Sequence, residues 1–196
     1  MNNKRISLLV IVGVLALLAI YIVSTYNTLV KKEEKVKQQW SEVQNAYQRR
    51  IDLVPNLVNV VKGQADFEKT TLEQIAAARA KADAINQSAT ELTPEKHNLT
   101  TQAQAELVQA ANRLIAVVEK YPTLSGTQAF KGLQTQLEGT ERRVKFARKD
   151  FNEAVASYNS SVRGFPASIF AGMLGFKAKD GFQSDAGADK TIEVKF

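Results

Sequence analysis

The sequence predicts an all-α protein: an N-terminal transmembrane helix followed by an elongated antiparallel bundle of about four helices. Three observations carry this. Residues Ile6 to Val23 form an uncharged, almost unbroken apolar run. Beyond it, apolar residues return every three or four positions and never alternate with period two over a useful length, so strand content should be close to nil. Ala, Gln, Glu, Lys and Leu dominate, with Gly 10 and Pro 4 among 196 residues, a composition suited to long helices.

The apolar run comes first. At 1.5 Å per residue, about eighteen residues make roughly 27 Å of helix, close to the ~30 Å hydrocarbon core of a bilayer. Ile6, Leu8, Leu9, Ile11, Leu15, Leu18, Ile20 and Val23 are the expected anchor residues, with Tyr21 and Tyr26 at an interfacial level. Lys4 and Arg5 precede the run, as they would in a secretory signal, but the run is long and Ile22-Val23-Ser24 is a poor cleavage site. A retained anchor over residues 1–28 is therefore expected. Basic residues stand on both sides of it, Lys4 and Arg5 before and Lys31, Lys32, Lys35 and Lys37 after, which leaves both orientations open.

The bundle follows over residues 29–176. Val36, Trp40, Val43, Tyr47 and Ile51 form a first stripe. Leu57, Val58, Val61, Ala65, Leu72, Ile75 and Ala82 form a second. Leu99, Ala103, Leu107, Ala110, Leu114, Val117 and Tyr121 form a third. The longest runs from Phe130 through Leu133, Leu137, Val144, Ala147, Phe151, Val155 and Tyr158 to Val162. Alternating steps of three and four favour coiled-coil-like packing. Pro55 should end or kink the first helix at Val54. Thr93-Pro94-Glu95 is a helix start, with Thr as N-cap, Pro in the first position and an acid in the first turn. Tyr121-Pro122 closes the third helix, Ser125-Gly126-Thr127 opens the fourth, and Gly164-Phe165-Pro166 closes it.

Chemistry finds little to use. There is no cysteine, and His97 is the single histidine, expected on the surface of a first turn. Zinc sites and acid–base catalysis need convergent ligands or a tuned imidazole, and a di-iron bundle needs two inward Glu-x-x-His pairs. Glu138–Arg142 and Glu141–Lys145 read as surface i,i+4 pairs. No phosphate loop or nucleophile motif is present. Catalytic residues, cofactor, metal and small-molecule substrate are all expected to be none. The formal charge of +6 is concentrated in residues 31–50 and 127–165. Without interleaved aromatics or a motif it does not indicate nucleic acid, whereas a juxtamembrane basic segment suits anionic headgroups.

Two segments remain. Arg49 to Val58 is dense in charge around Pro55, and reads first as a helix junction and second as a contact to a partner. Pro166 to Phe176 is apolar, uncharged and too short to span a bilayer. Docking across the end of the bundle is the plain reading; a lipid contact or an oligomer seam is the sharper one. Candidate lipid or partner contacts are accordingly Lys31, Lys32, Lys35, Lys37, Arg49, Arg50, Phe170, Met173 and Leu174. Residues 177–196 read as a loose tail, with Ile192, Val194 and Phe196 able to pin its end.

Several segments, in order, resemble the LemA family: Tyr26-Asn27-Thr28-Leu29-Val30 with Glu34, Val36 and Trp40, then RRIDLVPNLVNVVKG (49–63), AAARAKA (76–82) and NRLIAVVEKYPTL (112–124), then QLEGTERRV (136–144), FNEAVASYN (151–159) and FPASIFAGMLGF (165–176). The resemblance covers essentially the whole chain. It implies a single-pass protein of the bacterial inner membrane bearing an antiparallel helical bundle, and it carries no catalytic residues across. Some relatives are associated with magnetosome membranes and others are encoded near membrane proteases, which hints at envelope organisation. The reading is a non-enzymatic membrane-anchored scaffold, able to form homo-oligomers. The alternative is an adaptor for a membrane protease or sensor kinase.

Overall fold

The computed structural model describes residues 3–62, 69–88 and 93–182. Six helices lie in these stretches: α1 (Asn3–Lys62), α2 (Lys69–Ser88), α3 (Pro94–Val118), α4 (Pro122–Ser125), α5 (Gln128–Arg163) and α6 (Ala167–Ala171). No strand occurs among the described residues. The all-α class, with a long apolar N-terminal helix followed by helical segments, is as the sequence predicts. The chain divides into two compact units, one formed by Met1–Val36 with Phe151–Phe196, the other by Lys37–Asp150.

In the unit formed by Lys37–Asp150, the core gathers Ile51, Val54, Leu57 and Val61 of α1 with Ile75 and Ala82 of α2. Leu107, Leu114 and Val118 of α3, Leu124 of α4 and Phe130 of α5 complete it. Gln44 pairs with Asn86, and Gln48 with Asp83, so α2 runs antiparallel to α1. The α3 start is as expected: the Thr93 hydroxyl accepts from the Lys96 amide at 3.3 Å, with Pro94 in the first turn.

Pro55 does not end a helix. It lies inside α1, which continues to Lys62. Proline removes one backbone hydrogen bond, a cost of about 3 kcal/mol in a helix interior. Here Ile51, Leu53, Val54, Leu57 and Val61 are all buried around it. Burying a Leu, Ile or Val side chain contributes about 1.5–3 kcal/mol each, so the stripe outweighs the proline. The second sequence stripe is consequently split: Leu57, Val58 and Val61 belong to α1, and Leu72, Ile75 and Ala82 to α2. Ala65 lies outside the described residues.

The third stripe is also rotated. Leu99 is 53% exposed, while His97, Thr100, Gln104, Leu107, Ala111, Leu114 and Val118 are buried. Their steps of three and four are regular, but three of the slots hold polar side chains, which a search for apolar residues passes over. His97 is thus a core residue and not a surface one, with its ring 5.8 Å from that of Trp40.

In the other unit, Leu29 and Val36 of α1 are buried, as are Phe151, Val155, Tyr158 and Val162 of α5. Lys32 donates to the Ser157 carbonyl at 3.2 Å and to the Ser161 hydroxyl at 2.6 Å. The segment expected to be a loose tail is held over its first residues. Asn159 donates to the Lys179 carbonyl and accepts from the Lys179 amide, at 2.8 and 2.9 Å. Asn152 does the same for Phe182, at 3.0 and 2.8 Å. Two asparagines seven positions apart, on one side of α5, thereby hold the backbone at Lys179 and Phe182. Phe182 also packs edge-on against Phe151, and Lys179 pairs with Glu33 at 2.9 Å. Ile192, Val194 and Phe196 lie outside the described residues.

Candidate functional site

Two places carry functional weight, one in each unit. The first is the N-terminal part of α1. Every large apolar side chain from Leu8 to Ile20 is exposed, as is Val23, and the helix is long and apolar enough here to cross a membrane by length and composition. The side chain of Ile6 lies outside the described set. This segment is apolar all round, so no helical face is left for water.

Just beyond it, α5 and the segment after it meet α1. A cavity of about 270 Å³ is lined by Tyr21, Ser24, Thr25, Thr28 and Leu29 on one side and Ser161, Gly164, Phe165 and Ala167 on the other. A side chain at Gly164 would bring its Cβ within 2.8 Å of the Ser160 carbonyl, so glycine suits the close of α5. The turns after it end in a Schellman motif: the Phe176 amide donates to the Ala171 carbonyl and Gly175 to Gly172, with Gly175 at φ +86°. That motif buries Phe176, whose ring meets Tyr26 edge-on at 5.5 Å. Met173, a predicted contact, is 86% exposed, while Phe170 and Leu174 are half-buried. Ile169, within the apolar segment that the sequence marks, and Phe165, just before it, are exposed too.

Among the basic candidates, Lys31, Lys35, Lys37 and Arg49 are exposed. Lys32 is turned toward α5 by its two hydrogen bonds. Arg50 departs furthest from expectation. It is 3% exposed, in a core slot of α1, and cannot act as a surface contact.

Arg50 is the second place. Nη1 of the guanidinium donates to Gln104 Oε1 at 3.1 Å, and Nη2 sits 2.8 Å from Glu141 Oε2. Glu141, read from sequence as a surface partner of Lys145, thus reaches a buried arginine. Burial pulls the Arg50 guanidinium below its ordinary range, and the nearby Glu141 charge opposes that. Thr140 is buried on the same helix as Glu141, and Asn86 on α2 donates to Gln48 Oε1 at 2.9 Å. The interior is therefore less uniformly apolar than the stripes suggested. Beside Arg50 lies a cleft of about 210 Å³, walled mainly by Val54, Leu107, Ala111, Ile115 and Leu137. An arginine in this setting supplies a fixed positive charge and no acid–base function. Among the described residues, no three His, Asp or Glu side chains converge as metal ligands would.

The family model described as LemA family matches residues 39–196. Magnetosome protein MamQ 2 of Paramagnetospirillum magneticum is 27% identical over 203 residues, spanning 94% of this chain and 75% of the relative. Magnetosome protein MamQ of Magnetospirillum gryphiswaldense is 25% identical over 211 residues, spanning 98% and 78%. Protein LemA of Metamycoplasma hominis is 23% identical over 148 residues, spanning 76% and 64%.

Proposed function

This chain belongs to the LemA family, and on that premise we propose that it is a non-enzymatic protein held in a bacterial inner membrane by a single span, presenting helical surface as a scaffold for membrane organisation. The observation that carries the reading is the exposed apolar run from Leu8 to Val23, continuous in one helix with residues that pack a core. Lys31 and Lys35 stand within about 20 Å of Val23 along the helix, near enough to the headgroup region to favour anionic lipid. The relatives reported above are named for a cellular structure, the magnetosome, or for the family, and none is named for a reaction. The polar core groups supply one buried cation tied to a carboxylate, an arrangement suited to fixing helix register.

Fractionation of a bacterium expressing the full chain tests this. The protein is expected to stay with membranes through high salt and alkaline carbonate, and to be released as a soluble helical protein when residues 1–28 are removed. Recovery of the intact full-length chain in the soluble fraction would overturn the anchor. Crosslinking in the membrane then separates scaffold from adaptor: a ladder of self-multiples supports the former, and one dominant heterologous product the latter.

A further inference from the structure

We propose that the turn from Phe165 to Phe176 is a second membrane contact, a monotopic wedge whose exposed Phe165, Ile169 and Met173 enter the boundary between headgroups and acyl chains of the same bilayer that α1 spans. This rests on the reading of Ile6–Val23 as a transmembrane segment and adds to it.

The placement comes from α5. Lys32 of α1 is bonded to Ser157 and Ser161, and further along α5 Gly164 and Phe165 share a cavity wall with Tyr21 to Leu29. As α5 advances, it therefore descends α1 toward the apolar run. The turn that follows is fastened there by Phe176 against Tyr26. Tyr21 and Tyr26 flank the end of the run, where amphipathic aromatic rings mark a membrane–water interface. The turn is thus delivered to the depth at which the bilayer begins.

Its side chains divide in a way that suits this depth. Ala171 and Phe176 are buried and hold the turn to the protein. Phe165 and Met173 are 85% and 86% exposed, and Ile169 is also exposed. Ile169 in α6 and Met173 in the turns after it are four residues apart and share a face of these helical turns, while Phe165 lies in the turn before α6. An apolar face of this kind in water calls for a covering partner. The run from Leu8 to Val23 is equally uncovered, and one bilayer covers both. Arg163 and Lys177 are exposed on either side of the turn, as the polar flanks of an interfacial element are. The consequence is mechanical: a span alone lets a domain swivel about its axis, whereas a span with a wedge fixes which side of that unit faces the lipid.

The chain has no cysteine, so single cysteines can be introduced into the otherwise unaltered full-length protein. Phe165→Cys, Ile169→Cys and Met173→Cys would each carry a nitroxide, in nanodiscs of phosphatidylethanolamine and phosphatidylglycerol. Collisional relaxation by oxygen, which partitions into lipid, is compared with relaxation by a water-soluble nickel chelate. Leu15→Cys reports the span and Leu99→Cys the aqueous face of the other unit. All three turn labels are expected to favour oxygen several-fold over Leu99→Cys and to sit shallower than Leu15→Cys. With Leu15→Cys deep in lipid, nickel access at the turn matching that at Leu99→Cys overturns the wedge, and so does shielding from both reagents, the mark of a seam between protein surfaces. Nickel access at Leu15→Cys instead removes the anchor, and the wedge with it.

Discussion

Two parts of one helix use apolar residues in opposite ways. Between Leu8 and Val23, α1 is apolar around its whole circumference and its large side chains are nearly all exposed. Between Trp40 and Val61, apolar residues are confined to a stripe at steps of three and four, and the stripe is buried against other helices. A stripe finds its covering within the chain, because the remaining faces stay in water. A helix that is apolar all round cannot be covered by one neighbour and requires a different solvent. The periodicity of the pattern, more than its hydrophobicity, tells which environment each part is built for.

The comparison is broken most forcefully by making the same kind of truncation in both places. Ile51→Ala is expected to cost about 2–5 kcal/mol, since Ile51 is fully buried and its loss leaves a cavity. Leu15→Ala should change stability by less than about 0.5 kcal/mol, as for surface positions without packed partners. Denaturant unfolding of both variants in detergent, followed by helical circular dichroism, makes the measurement. An equal cost at Leu15 would mean that the run is packed against protein and not lipid.

Within the striped part, the sharper question is why one slot holds an arginine. Arg50 follows Trp40, Val43 and Tyr47 and precedes Val54 in unbroken three–four register, so it sits where an apolar residue belongs. Arg50→Met fills similar space but strands the Gln104 amide, a loss of about 1–3 kcal/mol for an unsatisfied buried group. Adding Gln104→Leu is expected to return most of that loss, because replacing a buried polar set by apolar residues is often neutral or stabilising. The cycle is read by chemical denaturation, with oligomeric state checked in parallel. Recovery with a change in oligomeric state would identify the polar slot as a register device. A double variant no more stable than Arg50→Met would mean that Gln104 was not the group left stranded.

The fold was legible because apolar spacing is a strong signal, and the slots that were missed are those where spacing and residue type disagree. Arg50, His97, Thr100 and Gln104 occupy inward positions while carrying side chains that are read as outward. Extending the three–four frame through them, regardless of type, would have placed all four inside. Pro55 misled for a related reason: a local rule that ends helices gave way to a stripe of buried neighbours on both sides of it. The long apolar N-terminal helix was visible, since length and composition alone define it. The apolar segment from Pro166 to Phe176 was visible but the outward set of Phe165, Ile169 and Met173 was not, because whether an apolar residue in a short turn packs inward or outward depends on the Schellman closure at Gly175, which the sequence shows only as one glycine among several. The order of Lys177 to Phe182 was hidden similarly, in two asparagines whose partners are backbone groups twenty and thirty residues away.

The smallest expected effect contrasts the two units through a tyrosine in each. Burial raises Tyr47 above its ordinary 10.0, while the charges of Arg148 and Arg50 and the bond from Arg148 work to lower it. Burial raises Tyr158 as well, and there the charge of Glu33 raises it further. A phenol whose folded value lies above its unfolded one keeps its proton longer in the native state. The associated stability is fully present below the unfolded value of 10.0 and is lost as pH rises through the folded one. Melts taken between about pH 9 and pH 11 should therefore fall with pH beyond the general loss from lysine deprotonation. Tyr158→Phe is expected to flatten that slope, because a phenylalanine has no proton to lose and keeps the packing of the ring. Tyr47→Phe should flatten it as well, but from a lower starting stability, since it also removes the 3.0 Å bond from Arg148. A slope unchanged in both variants would assign the alkaline loss to other groups and leave the two phenols without weight in it.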